Sequence, residues 1–443
     1  MNSILIENGI IITLDKFGRI IKNGAVYIEN NIIRDIGETK KLKKEYNPDF
    51  TINAANSIVM PGFVNSHVHL TSSLLRGMLD DLSLKQWDKI QTLPPEKEIR
   101  EGIIAASKLV CLEMIKAGVT SYIGGAHEGE IGKTEIDVRY RSGLRGFLAF
   151  SIINKIGNYK DILNYIRDNY SDRIQLLLGP WWTLKVPKEI LIKTGEIAEK
   201  HNLKISIHVA ETSWEIKEIK RKTRCEGAID YLNHIGLLSP RLIAVHCVHI
   251  SKKEVDLMQK SRTKVVHCPV SNAKLGDGIA PLTKFLKAGI TVGLGSDGVA
   301  TNNCIDMFQE MKVACLLQRA IHQNPQVMSA EEVLKMATLN GAKLLGVDKK
   351  LGSIEVGKKA DLIIVDIKKP HFYPITNPVT HIVYSAKASD VNTVIIDGKL
   401  IMKNRNVITM NEEEILKEVQ EIHDSIFPNK QLQHITSKPE KKH

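Results

Sequence analysis

Two histidines one residue apart, His67 and His69, follow the apolar run Ile58-Val59-Met60 and the turn-like Pro61-Gly62. On a strand, alternation places both imidazoles on one face, where they can grip a single metal ion. Alone, such a pair carries little weight. Further polar residues close other apolar runs: His208 and Glu211 after Ile205-Ser-Ile, His246 and His249 after Leu242-Ile-Ala-Val, His267 after Val265-Val266, and Asp297 after Gly293-Leu-Gly-Ser. His67, His69, His208 and Asp297 offer three imidazoles and one carboxylate, a sound donor set for one divalent transition metal with a position left for water. A metal lowers the pKa of such a water toward about 7 and makes a nucleophile available at neutral pH. Glu211, three residues beyond His208, suits a proton shuttle. His246 can hydrogen-bond the attacking oxygen or a tetrahedral intermediate. His249 and His267 fit packing or supporting roles as readily as direct ones.

These residues need elements that bring distant strand ends together. From about 58 to 350 the chain alternates apolar strands with amphipathic helices. Candidate strands are Ile58–Ser66, Val119–Gly124, Leu144–Ser151, Ile174–Gly179, Lys204–His208, Leu242–Cys247, Lys264–Cys268 and Ile290–Gly295, with helices such as Glu98–Ala117, Lys188–His201 and Asn303–Ala320. Eight such repeats over nearly 300 residues predict an α/β protein built on a (β/α)8 barrel, whose active site lies at the C-terminal ends of the strands. A doubly wound open sheet is the alternative, and no G-x-G-x-x-G supports it. The ends of the chain differ from the middle. Residues 1–57 carry short strands around Asn8-Gly9 and Asn30-Asn31, and 351–410 carry Ala360–Asp366 and a hairpin around Asp397-Gly398. Together they predict a small β-sandwich domain built from both termini. Residues 411–443 read as a helix and a disordered tail.

Composition limits the function classes. Of the 443 residues, 43% are hydrophobic and 25% charged, as in ordinary soluble proteins. No apolar run approaches the roughly 18 residues of a membrane span, and the N-terminus lacks the order of a secretory signal, so the expectation is a cytoplasmic protein. Cys111, Cys225, Cys247, Cys268, Cys304 and Cys315 are scattered and read as free thiols. The net charge of +11 is spread along the chain and densest in the last seven residues. That distribution argues for a solvated surface, with neither nucleic acid nor membrane as partner.

The motifs also carry a resemblance. Pro61–His69, His208-Val-Ala-Glu211-Thr212, His246-Cys-Val-His249, Pro269-Val-Ser-Asn-Ala-Lys-Leu-Gly276-Asp-Gly-Ile-Ala-Pro281 and Gly295-Ser-Asp297-Gly-Val-Ala-Thr-Asn-Asn303 resemble the amidohydrolase superfamily. The chain looks most like the branch of methylthioadenosine/S-adenosylhomocysteine deaminases and triazine chlorohydrolases, over nearly its whole length to about 410. The resemblance implies one zinc or iron ion on His67, His69, His208 and Asp297. It implies that Asp297 takes a proton from the water and Glu211 protonates a ring nitrogen. The fourth strand ends Gly179-Pro180-Trp181-Trp182 without the bridging lysine of binuclear relatives, so one ion is expected.

Further substrate contacts follow from the same likeness. Trp87 and Glu96 match the tryptophan and the ribose-binding glutamate of the nucleoside deaminases. Thr301, in the last motif, and Arg145, matching an arginine that holds an amino-acid carboxylate, are further contacts. The chain departs in two places: Trp181 stands where the deaminases have a histidine, and Phe150 where a second arginine is aligned. The implied activity is hydrolytic deamination of a 6-aminopurine nucleoside of the 5′-methylthioadenosine, S-adenosylhomocysteine, 5′-deoxyadenosine or adenosine type, by a dimer or tetramer. The alternatives are the same machinery acting on a free base or s-triazine, and a catalytically inactive scaffold.

Overall fold

The computed structural model describes residues 3–86 and 96–427. Its centre is an eight-stranded parallel sheet in sequential order, made of β1 (Phe63–Val68), β2 (Val119–Ala126), β3 (Arg145–Ile152), β4 (Ile174–Pro180), β5 (Ile205–Val209), β6 (Leu242–His246), β7 (Lys264–His267) and β8 (Val292–Leu294). Helices follow most strands, which is the (β/α)8 arrangement that the alternation predicts. Side chains and backbone close the ring between β8 and β1. The Asn65 amide donates to Ser296 Oγ at 2.7 Å, the Ser296 N–H donates back to Asn65 Oδ1 at 3.0 Å, and the Asp297 N–H donates to the His67 carbonyl at 3.0 Å. One metal-ligand candidate is thereby hung directly on another.

The barrel interior holds Val64, Ile123, Phe147, Leu177, Ile243, Val245 and Val266. Alternate residues on the same strands, such as Phe63, Leu148, Leu178 and Ala244, pack outward against the helices. This two-layer pattern explains why buried parallel strands read as near-continuous apolar runs.

The predicted strand Ile58–Ser66 is two strands. Ser57–Pro61 pairs antiparallel with Leu362–Asp366 in the terminal sheet, and Phe63–Val68 enters the barrel. Gly62 makes the crossing. A Cβ there would lie 2.1 Å from Thr120 Cγ2, so no larger residue fits the junction.

Strands from both termini form one nine-stranded mixed sheet, with Ser3–Ile12 paired to both Ile20–Glu29 and Ser57–Pro61. Asn8-Gly9 is a bulge inside the first of these strands, with Asn8 at φ 64° and a register shift on either side of Gly9. Asp397-Gly398 is the expected hairpin turn, both residues having positive φ. A helix, Glu412–Ile426, ends the described chain, and the residues assigned to the tail lie beyond it. No helix among the described residues is long and apolar enough to cross a membrane.

Candidate active site

Strict alternation would aim several of the candidate residues the wrong way, and three local devices turn them back. In β1, Val64 faces the interior, so His67 and His69 belong by parity to the outer face. A register shift between Asn65 and Val68 resets the count. In β5, His208 faces inward and Glu211 would face outward, but Ala210 at φ 52° swings the chain round. In β6, interior Val245 is followed by His246 at φ 72°, and both reach the cavity. Left-handed backbone at a non-glycine residue costs about 1–2 kcal/mol, a strain that clusters at working sites.

The result is a tight constellation. His67 Nε2 and His69 Nε2 lie 3.3 and 3.2 Å from the same oxygen, Asp297 Oδ1. His208 Nε2 lies 3.1 Å from His67 Nε2. His246 Nε2 lies 3.5 Å from Glu211 Oε1. The potential ligand atoms of His67, His69 and Asp297, of His67, His208 and His246, and of Glu211, His246 and Asp297 each fall within 4.8 Å of one another. All of these residues line one cavity of about 730 Å³ at the C-terminal mouth of the barrel.

A family model described as the amidohydrolase family matches residues 58–401. The chain belongs to the amidohydrolase family. A 5′-deoxyadenosine deaminase of Methanosarcina acetivorans is 38% identical over 429 residues, covering 94% of this chain and 97% of that one. A 5-methylthioadenosine/S-adenosylhomocysteine deaminase of Thermococcus sibiricus is 40% identical over 411 residues, 90% of this chain and 94% of its own. Among solved structures, an adenosine deaminase from Xanthomonas campestris with bound zinc superposes with a TM-score of 0.89 at 27% identity, covering 96% and 98% of the two chains.

The donor set of this amidohydrolase fits a divalent ion. His208 Nδ1 is engaged by the Trp181 carbonyl, so that nitrogen carries the proton and Nε2 presents a lone pair. Burial lowers the His67 pKa and, with its imidazole neighbours, pushes that of His208 well below the usual value. Imidazole nitrogens converging on one another and on one carboxylate oxygen, with the His208 Nε2 lone pair directed at them, are the donor arrangement a divalent ion takes. Burial acts to raise the Asp297 carboxyl, but His67 and His69 outweigh it and leave the group well below the carboxylate range. Asp297 is therefore ionised.

Glu211 behaves oppositely. Burial, then Asp277, Asp297 and Glu215, push its pKa well above the usual carboxylate value, which favours the protonated form. Burial also drives the His246 pKa down to about 3. The Asn272 amide donates to His246 Nδ1 at 3.1 Å, which leaves the ring proton on Nε2, facing Glu211 and the cavity. One site thus holds an ionised carboxylate, a carboxyl biased toward its protonated form and an imidazole N–H donor.

Supporting contacts surround the constellation, and of these the ones made by Ser271 and Glu215 were not foreseen. Ser271 donates to Asp297 Oδ2 at 2.6 Å, and Thr301 Oγ1 lies 3.0 Å from the same oxygen while also lining the cavity. Glu215 accepts from the Glu211 N–H at 2.9 Å. His249 is held by the Asp277 carbonyl at 2.8 Å. His267 is buried, with neither ring nitrogen bonded, and is not part of the constellation. Trp181 lines the cavity as expected, with the Lys185 ammonium 5.5 Å from its ring centre.

Arg145 is not brought to the site. It is the first residue of β3 and so lies at the opposite end of the barrel, where its guanidinium meets Asp361 at 2.9 Å and Asp397 at 3.3 Å. Phe150 packs outward into the helix layer, while its neighbours Ala149 and Ser151 are the β3 residues that line the cavity. Trp87 lies outside the described residues. Glu96 opens the helix Glu96–Lys116, and its side chain is likewise outside them.

Proposed function

We propose that this amidohydrolase is a hydrolytic deaminase of 6-aminopurine nucleosides of the 5′-deoxyadenosine, 5′-methylthioadenosine, S-adenosylhomocysteine or adenosine type. The observation that carries the reading is the placement of Glu211, a buried carboxyl whose Oε1 lies 3.5 Å from His246 Nε2 in the cavity it shares with Asp297, with burial biasing it toward its protonated form. The names of relatives at 38 and 40% identity support it. So does a cavity within the range that encloses small organic ligands.

The proposed ion is zinc, with iron as the alternative, held by His67, His69, His208 and Asp297. When bound, it supplies Lewis acidity that eases ionisation of a water near neutral pH. The chain's own groups do the rest. Glu211 gives its proton to the ring nitrogen next to C6, which makes that carbon more electrophilic. His246 Nε2–H donates to the oxygen that bonds to C6. Asp297 accepts a proton from the attacking water and passes it to the departing amino group, which leaves as ammonia, and the second water proton, lost as the C6 carbonyl forms, restores Glu211. Trp181, Thr301, Trp87 and Glu96 are proposed to contact the nucleoside. We place the enzyme in the cytoplasm as a homo-oligomer acting on small molecules, without a nucleic-acid partner. The indole of Trp181 on the cavity wall also favours a second reading, in which the same machinery acts on another aminated heterocycle.

Ammonia release from a panel of adenosine derivatives, free bases and s-triazines tests both readings. Replacing Glu211→Gln should lower kcat on the best substrate by about 10²–10⁴-fold. Full activity of that variant overturns the assignment, and activity confined to free bases or triazines transfers the site to the second reading.

A further inference from the structure

One histidine on the cavity wall is used by none of the steps above. His127 follows β2 directly, lines the cavity, and has a side chain that is 45% exposed. Behind it stands a fully buried relay. Glu135 Oε2 accepts from both the His127 backbone N–H, at 3.2 Å, and ring Nδ1, at 3.0 Å. Glu135 Oε1 accepts from Arg139 Nη2 at 2.8 Å, and Arg139 Nη1 donates to the Gly125 carbonyl at 2.6 Å. Burial alone would raise the Glu135 carboxyl, but Arg139 and His127 leave it below the usual carboxylate range. The helix carrying Glu135 approaches closely because residue 132 is glycine, where a Cβ would lie 2.0 Å from the His127 carbonyl.

Two features set what this imidazole can do. An ionised Glu135 accepts a hydrogen bond from the Nδ1–H, which selects the tautomer whose Nε2 is an acceptor. A buried Glu–Arg pair brings little net stability over apolar residues of the same volume, and here its geometry fixes the orientation of one cavity-facing ring. The second feature is height. Val68 pairs with Gly124, so His69 is level with Gly125, and His127 stands two residues further out. Two residues at about 3.3 Å each, on strands tilted by about 36°, raise it roughly 5 Å above the ligand layer, toward the mouth. A purine whose C6 meets that layer carries its sugar at about this height.

We infer that His127 is a specificity-determining residue that accepts a hydrogen bond from a hydroxyl on the sugar of the substrate, with Glu135 and Arg139 as its positioning residues. The inference rests on the nucleoside reading above and adds a sugar contact from β2 to it.

Steady-state kinetics on adenosine, its 2′-, 3′- and 5′-deoxy analogues and free adenine test it, with His127→Ala, His127→Gln and Glu135→Gln. Circular dichroism confirms that each variant is folded. His127→Ala should raise KM about 10-fold, the worth of one hydrogen bond, with kcat within about 2-fold. That penalty should vanish on the one deoxy analogue that lacks the contacted hydroxyl. His127→Gln, which can still present an acceptor, should recover part of the loss. Glu135→Gln should move in the same direction as His127→Ala and add nothing to it in the double variant. An unchanged KM for His127→Ala on every nucleoside, or an equal penalty on all analogues and on adenine, overturns the inference and leaves the deaminase reading standing. A wild-type enzyme that releases ammonia from no nucleoside overturns both.

Discussion

Replacing Arg145→Met distinguishes a structural arginine from a substrate-binding one. Arg145 and Asp361 are nearly inaccessible, with side chains 3% and 4% exposed, and the guanidinium contacts Asp361 through two nitrogens at 2.9 and 3.2 Å. Asp397 and Asp172 approach at 3.3 and 3.9 Å. Methionine fills the space but strands the Asp361 carboxylate, which is left with the Asp397 N–H at 2.8 Å. Breaking a buried pair from one side costs about 3–5 kcal/mol. With an unfolding entropy of about 2.1 cal/mol/K per residue, 443 residues give roughly 0.9 kcal/mol/K, so the melting temperature should fall about 4 °C. Scanning calorimetry measures the shift, and KM for adenosine and S-adenosylhomocysteine should match wild type at 25 °C. Adding Asp361→Asn, which removes the stranded charge, should recover part of the loss. An unchanged melting temperature together with a KM raised tenfold only for the amino-acid-bearing substrate would refute this reasoning and return Arg145 to the substrate.

Stripping metal with a chelator should abolish activity and lower the melting temperature, and zinc should restore both, because a ligand at 100 times its Kd stabilises by about 2.7 kcal/mol. Equal melting and activity in metal-free protein, verified by elemental analysis, would contradict the ligand assignment. Glu310 predicts a pH effect on stability. Burial raises its pKa to about 8, against 4.5 for the unperturbed group. Between those values the folded state binds more protons than the unfolded one, so stability falls as pH rises. Glu310→Gln should remove that contribution, at most about 1.4 kcal/mol per pH unit. Urea midpoints from pH 5 to 8 should then be flatter than wild type, and parallel profiles would show that Glu310 ionises freely in the folded protein.

The histidine–aspartate constellation was legible because its members close apolar strands, and a parallel barrel gathers all such ends at one mouth. His67 falls in one group of potential ligand atoms with His69 and Asp297 and in another with His208 and His246, all at that mouth. The means by which they meet were hidden. No residue type announces the bulge in β1 or the left-handed Ala210 and His246, which override the alternation used to place them. Arg145 was misplaced because a one-dimensional match does not say at which end of a strand a residue sits. Phe150 fails by parity, since Ala149 and Ser151 own the inward face of β3. Ser271, Asn272, Glu215 and the His127–Glu135–Arg139 relay are tertiary contacts without local pattern. The terminal β-domain was readable from its turn chemistry at Asp397-Gly398, whereas Asn8-Gly9 uses the same residue types to make a bulge.

The junction at Gly62 also has a consequence for synthesis. Ser57–Pro61 pairs on one side with Ser3–Ile12, which is made first, and on the other with Leu362–Asp366, which emerges 301 residues later. At about 5–20 residues per second, translation leaves that apolar edge open for roughly 15–60 s. Throughout that interval Ile58-Val59-Met60 is a strand edge of the kind that recruits foreign chains. The nascent protein must therefore shield its own first hydrophobic seam, or have it shielded, long before the barrel exists.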